Sequence, residues 1–486
     1  MRQIHGLSVR ALNRARMSRD QRFDGKFFIA VTSTRIYCRP ICPSPHAKQR
    51  HVCYFPSAAA ATAAGFRPCL RCRPEAAPGT AAWLGTTAVV RRALRLIDEG
   101  FLDHSSIGEL AECLGIGTRH LHRLCLQHVG APPVSMAQTR RLHFAKRLLD
   151  DTNLPITEIA FAAGFKSLRR FNSAFQQTFR RPPRDFRRDR REQPVSAEGE
   201  IVLRLPYRPP YDWDQVSDFL VAQAIPGIEL VNKNAYVRTV AIGSSFVIVR
   251  ITPVQTENLL ELRVLRADPS SLLQISLAAR RVFDIVADPA TIATAFRDDP
   301  LLGELVKQRP GLRIPGVWDP FECAVRAVLG QRNSARAART IAARLVSQVG
   351  RRIGSPTSEL THLFPTPSDL VRADLSKLGL TPVRAEALRN LAKWATNGEM
   401  DWSAAPELVC RSLAAVPGIG HWSAEYVALR GLGEPDAFPA SDLVLRRMAA
   451  APKNLSLSAR ELEQRAQAWR PWRAYAAIHL WRAAAI

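Results

Sequence analysis

The chain has 486 residues, which is enough for several domains that each bury a core of their own. Its formal net charge of +25 and its pI of about 10.6 indicate a polyanionic partner, most simply nucleic acid, because solubility alone does not require so large an excess. No apolar run approaches the roughly 20 residues that cross a bilayer, and the N-terminal stretch lacks the apolar core of a signal peptide. These features argue against a membrane-spanning or secreted protein and predict a cytoplasmic one, whose nine cysteines are reduced.

Two close cysteine pairs lie near the N-terminus: Cys38 and Cys42 in CRPIC, and Cys69 and Cys72 in CLRC. This spacing is typical of a site in which four thiolates bind one tetrahedral Zn2+ ion. Such a site has a formal charge of about −2, and a zinc-bound thiolate is still able to attack an alkyl group. From the spacing alone, a purely structural zinc site is the simpler interpretation.

The sequence around these pairs resembles the N-terminal domain of the Ada regulators of alkylation repair, in FFIAVTSTRIYCRPICPSPH and in AAGFRPCLRCRPE. In that family one zinc-bound cysteine takes a methyl group irreversibly from a DNA methylphosphotriester. The resemblance implies that Cys38 is the acceptor and that Thr34 and Arg67 contact the damaged backbone. The residues at 43–45 (Pro-Ser-Pro) depart from the basic pattern of the family. Loss of one negative charge on methylation would strengthen DNA binding.

A mostly helical region is predicted from 87 to 191, after a linker rich in Ala, Pro and Gly. It contains two helix-turn-helix patterns, IGELAECLGIGTRHLHRLCLQHVG and ITEIAFAAGFKSLRRFNSAFQQTF, whose turns contain Gly115 and Gly164. Thr118 and Ser167 are the predicted N-caps of the second helices. The stretch SMAQTRRLHFAKRLLDD between them predicts a long amphipathic connecting helix.

This tandem arrangement resembles the AraC-type DNA-binding domain, which follows the zinc domain in the Ada family. Arg180 stands where such domains often have Gly. The resemblance implies that the second helix of each pattern contacts DNA in the major groove. For each basic residue, a solvated surface position is the alternative interpretation. The predicted contacts are Arg119, His122, Arg123, Ser167, Arg169 and Arg170.

Alternating apolar residues in AYVRTVAI, SSFVIVRIT and NLLELRVLR predict three strands in a small domain at 201–270. Upstream, RPPYDWDQVSDFL predicts the end of a strand that leads into a helix. Helices dominate from 271 to 486. The motif PGIG at 417–420 predicts a tight hairpin whose backbone N–H groups approach a DNA phosphate closely. Asp442 follows, immediately before a basic helix, and a helix N-cap is the alternative interpretation of this aspartate.

The hairpin and the aspartate together resemble the helix-hairpin-helix DNA glycosylases. The stretches PPYDWDQVSDFL, GVWDPFECAVRAVLGQ and WRPWRAYAAIHLWRA resemble the AlkA-type 3-methyladenine glycosylases. This resemblance implies that Asp442 is catalytic, that Gly418 and Gly420 bind the DNA backbone, and that Arg332 stands at the position that fills the gap left by a flipped base. An electron-rich pocket would attract a cationic alkylated base. The predicted pocket residues are Trp422, Tyr426 and Trp481.

The sequence therefore predicts a multidomain, mainly α protein with small α+β parts. Its predicted function is methyl transfer to Cys38, followed by transcriptional activation with RNA polymerase as a candidate partner, and hydrolytic excision of alkylated purines from double-stranded DNA. No lysine adjoins Asp442, so strand cleavage is not expected. Two alternatives stay open: a zinc-containing activator with an inert C-terminal half, and a repair enzyme without regulatory output. The predicted domains are a zinc domain (1–76), a double helix-turn-helix domain (87–191), a small antiparallel sheet domain (201–270) and a helix-hairpin-helix glycosylase domain (271–486).

Overall fold

The computed structural model of the chain has two compact units. The structure describes residues 4–77, 88–188, 200–254, 256–331, 333–354, 359–397, 401–402, 404–450 and 456–484. Among these described residues, no helix is both long and apolar enough for a bilayer crossing. The first unit comprises Met1–Pro209, Thr256–Arg263 and Ala267–Leu277, and the second comprises Pro210–Gln255, Val264–Arg266 and Ala278–Ile486.

The first unit begins with a small α+β region that contains the four cysteines. Its four-stranded sheet has the order β3-β1-β2-β4, with β1 antiparallel to both neighbours and β2 parallel to β4. Phe28, Ile29 and Ala30 of β1 are all buried, because this central strand is covered on both faces. The elements are α1 (Val9–Met17), β1 (Phe28–Val31), β2 (Ile36–Cys38), β3 (Val52–Phe55), α2 (Ala58–Ala63) and β4 (Arg67–Pro68).

The helical region that follows has the predicted tandem arrangement. The predicted connecting helix is present, but Phe144 and Leu148 are buried on the side opposite Leu142 and Leu149, so this helix packs on several sides and not through a single amphipathic face. The helices are α3 (Ala88–Asp98), α4 (Phe101–His104), α5 (Ile107–Cys113), α6 (Thr118–Val129), α7 (Pro133–Asp151), α8 (Ile156–Ala162), α9 (Leu168–Phe179) and α10 (Pro183–Arg188).

The turns and caps of the two helix-turn-helix hairpins, α5–α6 and α8–α9, differ in one detail from expectation. Gly164 has a φ of +90°, and a Cβ there would lie 2.4 Å from a carboxylate oxygen of Asp103, so this turn requires glycine. Ser167 caps α9 by accepting a hydrogen bond from the backbone N–H of Arg170, as predicted. The predicted cap Thr118 is wrong. Gly117 has the extended backbone that precedes α6, and Thr118 is already the first helical residue.

A second sheet has the strand order β5-β9-β8-β7-β6. The three predicted strands are present as β7, β8 and β9, and β7 pairs antiparallel with β8 in a register that places Tyr236 opposite Ile251. Val247, Val249 and Ile251 are buried on one face of β8. The elements are β5 (Glu200–Pro206), α11 (Trp213–Gln223), β6 (Glu229–Val231), β7 (Tyr236–Ile242), β8 (Ser245–Val254) and β9 (Leu259–Leu265).

The rest of the chain is helical. The helices are α12 (Leu272–Val282), α13 (Pro289–Phe296), α14 (Leu302–Gln308), α15 (Pro320–Gly330), α16 (Ala335–Val349), α17 (Pro367–Arg372), α18 (Pro382–Thr396), α19 (Pro406–Ala415), α20 (His421–Arg430), α21 (Leu443–Ala450), α22 (Ala459–Ala466) and α23 (Arg473–Ala484). Helices α15 and α23 are buried on almost every side, so they form the centre of this helical part. Short 3-10 helices span Gln21–Phe23, Gln49–His51, Pro74–Ala76, Pro269–Ser271, Leu375–Leu378 and Gln467–Trp469.

Candidate metal centre and candidate active site

The four predicted zinc ligands lie in one cluster, in which all four sulfur atoms are within 4.8 Å of one another. The parallel pairing of β2 with β4 produces this arrangement, because it places the strand that ends at Cys38 beside the strand that precedes Cys69. Cys42, Cys69 and Cys72 are buried, whereas Cys38 is half-buried. The cluster fits a tetrahedral Zn2+ ion, and Cys38 is the ligand most open to a reactant.

Hydrogen bonds among the sulfur atoms shift the proton affinities of the cluster. The bond between Cys38 and Cys42 raises the pKa of Cys38 and lowers the pKa of Cys42. Cys38 is also the largest influence that lowers the pKa of Cys69, to about 6. A divalent cation bound by the four sulfur atoms would hold all of them as thiolates.

Arg39 fixes the loop after Cys38, a role that sequence reasoning missed. Its backbone N–H donates to Sγ of Cys72 at 3.3 Å, and its Nη1 donates to the carbonyl oxygen of Cys72 at 3.0 Å. Its Nε donates to a carboxylate oxygen of the buried Asp24 at 2.8 Å. Arg39, the neighbour of Cys38, is thus bonded through its backbone and its side chain to Cys72 of the second cysteine pair.

The two predicted backbone contacts of this region lie close to the cysteine-bearing strands. Thr34 is exposed in the turn between β1 and β2, and Arg67 lies half-buried on β4, opposite Ile36 of β2. Their contact with DNA stays a prediction.

The predicted contact residues on α6 and α9 are accessible, with one exception. Ser167 is half-buried, and its hydroxyl oxygen is engaged in capping α9. The other five are exposed: Arg119, His122, Arg123, Arg169 and Arg170.

Asp442 lies immediately before α21, and three N–H groups hold its half-buried carboxylate. The backbone N–H of Leu445 and the indole N–H of Trp481 donate to Oδ1 at 3.0 and 3.2 Å. The indole N–H of Trp422 donates to Oδ2 at 3.0 Å. Asp442 therefore caps α21, as the alternative interpretation expected. It also lies against two of the three predicted pocket residues.

The three predicted pocket aromatics form one cluster around this carboxylate. The rings of Trp422 and Tyr426 are stacked, with centroids 5.1 Å apart and an angle of 15° between their planes. Trp481 of α23 meets Tyr426 edge-on, with centroids 6.3 Å apart. All three side chains are half-buried. Four other aromatic residues of this part of the chain are buried in the core: Trp318, Trp469, Trp472 and Tyr475.

The predicted hairpin connects α19 to α20. Gly418 has a φ of +92°, and a Cβ on it would lie 2.4 Å from the Cβ of Ala387. Both Gly418 and Gly420 are exposed, so backbone N–H groups at the start of α20 are open to an anion. Arg332, the predicted gap-filling residue, lies outside the described residues.

Gln331, at the end of α15, ties its loop to the hairpin. Its side-chain Nε2 donates to the carbonyl oxygen of Gly418 and to the hydroxyl of Ser423, both at 3.2 Å. Arg384 of α18 donates to the backbone carbonyl of Gln331. Sequence reasoning assigned no role to Gln331.

Arg430, the last residue of α20, is a second residue that sequence reasoning missed. Its Nη1 donates to the hydroxyl of Tyr426 at 2.6 Å, and its Nε and Nη2 donate to the carbonyl oxygens of Pro315 and Gly316 at 2.7 and 3.2 Å. The available signal was its spacing, because a residue four positions after Tyr426 lies on the same helix face.

The fold and the two sites define the class: a DNA-binding repair protein in which a metal-binding domain and tandem helix-turn-helix hairpins precede a helix-hairpin-helix glycosylase fold. Four family models match consecutive stretches. They are the metal binding domain of Ada (11–75), a helix-turn-helix domain (110–189), the AlkA N-terminal domain (202–319) and the HhH-GPD superfamily of base excision DNA repair proteins (325–474).

A protein of Mycobacterium tuberculosis (strain CDC 1551 / Oshkosh), described as a probable bifunctional transcriptional activator/DNA repair enzyme AlkA, is 41% identical over 477 residues, which are 96% of this chain and 95% of that protein. The chain belongs to this family of Ada–AlkA fusion proteins. DNA-3-methyladenine glycosylase 2 of Escherichia coli is 33% identical over 285 residues, 58% of this chain and 96% of that enzyme. The 3-methyladenine DNA-glycosylase of Archaeoglobus fulgidus has the same fold, with a TM-score of 0.52 at 20% identity, over 58% of this chain and 98% of the other.

These matches confirm the predicted fold class and the family resemblance. The metal binding domain of Ada and the four-cysteine cluster together identify one cysteine-bound Zn2+ ion as the resident metal.

Proposed function

We propose that the chain has two separate reactive centres that act on alkylated DNA. At the first, Cys38 takes a methyl group from a DNA methylphosphotriester. At the second, Asp442 supports hydrolytic excision of alkylated purines such as 3-methyladenine. The observation that carries the second proposal is the position of the Asp442 carboxylate, within hydrogen-bond distance of two indoles of an aromatic cluster.

The chemistry at Asp442 follows from the charge of the substrate. Alkylation of a ring nitrogen makes the base cationic, so the base is a good leaving group that needs little acid catalysis. The bond between C1′ and the ring nitrogen breaks, and its electron pair leaves with the base. The carboxylate stabilises the positive charge that develops on the sugar and accepts a proton from the water that attacks C1′. The three N–H donors hold the carboxylate in place for this role.

The surroundings of Asp442 suit substrate binding. The base must leave the DNA stack to reach a pocket, and the stacked Trp422 and Tyr426 offer it a cation–π surface. The exposed backbone of Gly418 and Gly420 at the start of α20 suits a DNA phosphate. Ser441 and Leu443 flank Asp442, so no adjacent amine is present to form a Schiff base and cleave the strand.

At the first centre, the half-buried Cys38 sulfur attacks the methyl carbon of the phosphotriester. A sulfur–carbon bond forms, the carbon–oxygen bond breaks, and its electron pair stays on the phosphate oxygen, so that a phosphodiester anion leaves. Bound Zn2+ keeps the cysteines deprotonated near neutral pH. The thioether product does not return to a thiolate, and each chain therefore reacts once.

The methylated protein acts as a transcriptional activator. Conversion of the Cys38 thiolate to a neutral thioether removes one negative charge from the surface that meets DNA, so DNA binding becomes tighter. The exposed arginines of α6 and α9 bind promoter DNA, where the protein contacts RNA polymerase and is associated with the bacterial nucleoid. Promoter binding that rises after methylation of Cys38 would exclude the alternative, a repair enzyme whose two hairpins only hold it on DNA.

One experiment with crossed variants tests both centres. Duplex DNA treated with a labelled methylating agent is incubated with the full-length protein, and free bases and protein-bound methyl groups are measured separately. We expect Asp442→Asn to lose base release by at least about 100-fold while it still accepts methyl groups. We expect Cys38→Ser to show the reverse pattern.

Matched controls separate these effects from misfolding. Asp298→Asn and Cys53→Ser alter an exposed carboxylate and an exposed thiol outside both centres, and both variants should keep both activities. Base release by Asp442→Asn at the wild-type rate would exclude Asp442 as the catalytic group. No base release by the wild-type protein would favour an inert C-terminal half, and no methyl transfer would favour a purely structural zinc site.

A further inference from the structure

Arg430 is a buried cation at one end of an aromatic row on α20. Trp422, Tyr426 and Arg430 follow one another at intervals of four residues, which places them on one helix face. Trp422 and Tyr426 are half-buried, but Arg430 is only 3% exposed. Its guanidinium carbon lies 5.4 Å from the ring centroid of Tyr426 and 4.4 Å from that of Phe219. The positive charge is therefore held between two rings.

The charge of Arg430 has no carboxylate partner among the described residues. Its Nε and Nη2 donate to two backbone carbonyls, and its Nη1 donates to the hydroxyl of Tyr426. Carbonyl and hydroxyl dipoles solvate the guanidinium but leave its net charge uncancelled.

The carboxylates in the same part of the unit are already neutralised by other arginines. Glu322 is paired with Arg238 and Arg326 at 2.5 and 2.6 Å, and Glu229 is paired with the same two arginines at 3.2 and 2.7 Å. Two buried carboxylates thus meet the buried Arg238 and the half-buried Arg326, and this group has no net charge. Arg430 therefore contributes one uncompensated positive charge behind the ring of Tyr426.

We propose that Arg430 determines lesion specificity, by weakening the preference of the aromatic pocket for cationic bases over neutral ones. This inference rests on the proposed function of the pocket. Two effects act in the same direction. A fixed cation next to Tyr426 repels a cationic base that binds in the same aromatic cluster, because charges interact strongly where water is excluded. The hydrogen bond that Arg430 donates to the Tyr426 oxygen also withdraws electron density from the ring, which weakens its cation–π attraction.

A purely structural role for Arg430 would have different consequences. Arginine at a helix C-terminus is stabilising in any helix, and the bonds to Pro315 and Gly316 connect α20 to the segment before α15. Loss of that connection would lower activity on every substrate by one common factor. Loss of the charge behind Tyr426 would instead change the ratio of the activity on a cationic substrate to the activity on a neutral substrate.

The test compares Arg430→Met, which removes the charge at similar length, with Arg430→Lys, which retains it. The full-length proteins are assayed on one duplex that carries either 7-methylguanine, a cation, or hypoxanthine, a neutral purine. We expect Arg430→Met to raise the ratio of kcat/KM for the cationic over the neutral lesion about tenfold, which corresponds to 1.4 kcal/mol. The ratio for Arg430→Lys should stay within about twofold of the wild-type ratio. An unchanged ratio in Arg430→Met would overturn the proposal, whatever the fall in absolute activity.

A binding measurement separates failure of this inference from failure of the proposed function. The 3,9-dimethyladeninium cation and neutral 9-methyladenine are probes of similar size, and equilibrium dialysis with the full-length proteins gives their affinities without any reaction. The ratio of affinity for the cation to affinity for the neutral base should be higher in Arg430→Met than in the wild-type protein. If the ratio of affinities shifts in this way but the wild-type protein releases no base from DNA, the role of Arg430 is supported and the glycosylase proposal is refuted. Equal affinity ratios in wild type and Arg430→Met would refute the role of Arg430 alone.

Discussion

Two aspartates of the second unit show how far the surroundings of a residue control its chemistry. Asp442 is half-buried and accepts three N–H groups, which hold its carboxylate in a fixed position. Asp284 is also half-buried as a residue, but desolvation of its carboxyl raises its pKa from 3.8 to about 6, although Arg313 and hydrogen bonds from Ile314 and Tyr475 oppose this rise. The same side chain is thus a candidate reactive group in one place and a source of pH-dependent stability in the other.

The raised pKa of Asp284 leads to a stability prediction with a definite sign. Well below pH 3.8 the carboxyl is protonated in both the folded and the unfolded state. As the pH rises from about 4 to about 6, the unfolded chain releases this proton first, so the unfolded state binds fewer protons and the free energy of unfolding falls. The total loss corresponds to about 3 kcal/mol. Above pH 6 the loss is complete.

Asp284→Asn removes this titration while keeping a residue that tolerates the positive φ of this position. Urea unfolding of wild type and variant from pH 4 to pH 7, followed by tryptophan fluorescence, gives the difference between the two proteins. We expect the variant to gain stability relative to wild type across this range. Parallel pH profiles would show that Asp284 does not carry the effect.

The sequence could predict the residues whose chemistry is local or whose motif is specific. The four cysteines meet as predicted, and Trp422 and Trp481 lie against Asp442. The residues that sequence reasoning missed act through partners that are distant in the chain. Gln331 contacts the hairpin 87 positions away, and Arg430 contacts carbonyls more than 100 positions earlier. No spacing rule connects such residues before the fold is known.

At the scale of elements, the hairpin between α19 and α20 combines a backbone requirement with a packing requirement. Gly418 has a positive φ and faces Ala387 of α18, whereas Gly420 has a φ of −85° and no atom within 4 Å of its added Cβ. The two glycines are close in sequence, but the structure tolerates a side chain only at the second.

We expect Gly418→Ala to destabilise the second unit by about 2–3 kcal/mol, because the new Cβ meets Ala387 and the backbone is strained. Gly420→Ala is the matched control and should leave thermal unfolding unchanged. Both are measured by tryptophan fluorescence of the full-length protein. Equal midpoints of thermal unfolding for the two variants would contradict the packing argument. Because Gly420→Ala should remain stable, its affinity for DNA then tests whether a phosphate approaches this backbone closely.

Elements with strong periodic patterns were predictable, while details of their ends were not. The strands β7, β8 and β9 and both helix-turn-helix hairpins are where the patterns place them. Arg180 adopts a φ of +60° at the end of α9. This left-handed backbone conformation favours glycine, which is the residue expected at this position from the family resemblance. The predicted N-cap of α6 was wrong, because the residue with the extended backbone before the helix is Gly117 and Thr118 is already the first helical residue.

At the scale of the whole molecule, the zinc region and the tandem helix-turn-helix region form one compact unit. Arg73, beside the last zinc ligand, pairs with Asp150 of α7 at 2.6 Å, and Asp150 also pairs with Lys146 at 2.5 Å. The hydroxyl of Tyr37 is 3.0 Å from Nε2 of His143, whose pKa burial lowers to about 3, so this bond joins two neutral groups. Composition gave no indication of these long-range contacts, which join the zinc region directly to α7, the helix between the two helix-turn-helix hairpins.

The charge of the molecule gives the last prediction. A chain of net charge +25 binds duplex DNA largely through phosphate contacts, which salt weakens. Methylation of Cys38 changes the charge of the zinc cluster from about −2 to about −1. One unit charge about 7 Å from a phosphate in water is worth roughly 0.6 kcal/mol, or about threefold in affinity. We therefore expect the methylated full-length protein to bind undamaged duplex about threefold more tightly at 50 mM salt.

Salt and a charge-matched variant separate this electrostatic effect from a rearrangement of contacts. At 300 mM salt screening is stronger, so the affinity ratio between methylated and unmethylated protein should approach one. Cys38→Ser lowers the negative charge of the cluster by the same amount without adding a methyl group, provided that metal analysis shows bound zinc. It should therefore bind DNA like the methylated protein at both salt concentrations. Two results would contradict the electrostatic explanation: an affinity ratio that does not change with salt, or a serine variant that binds DNA like the unmethylated protein. Either result would mean that contacts of the methyl group, and not the change of charge, raise the affinity for DNA.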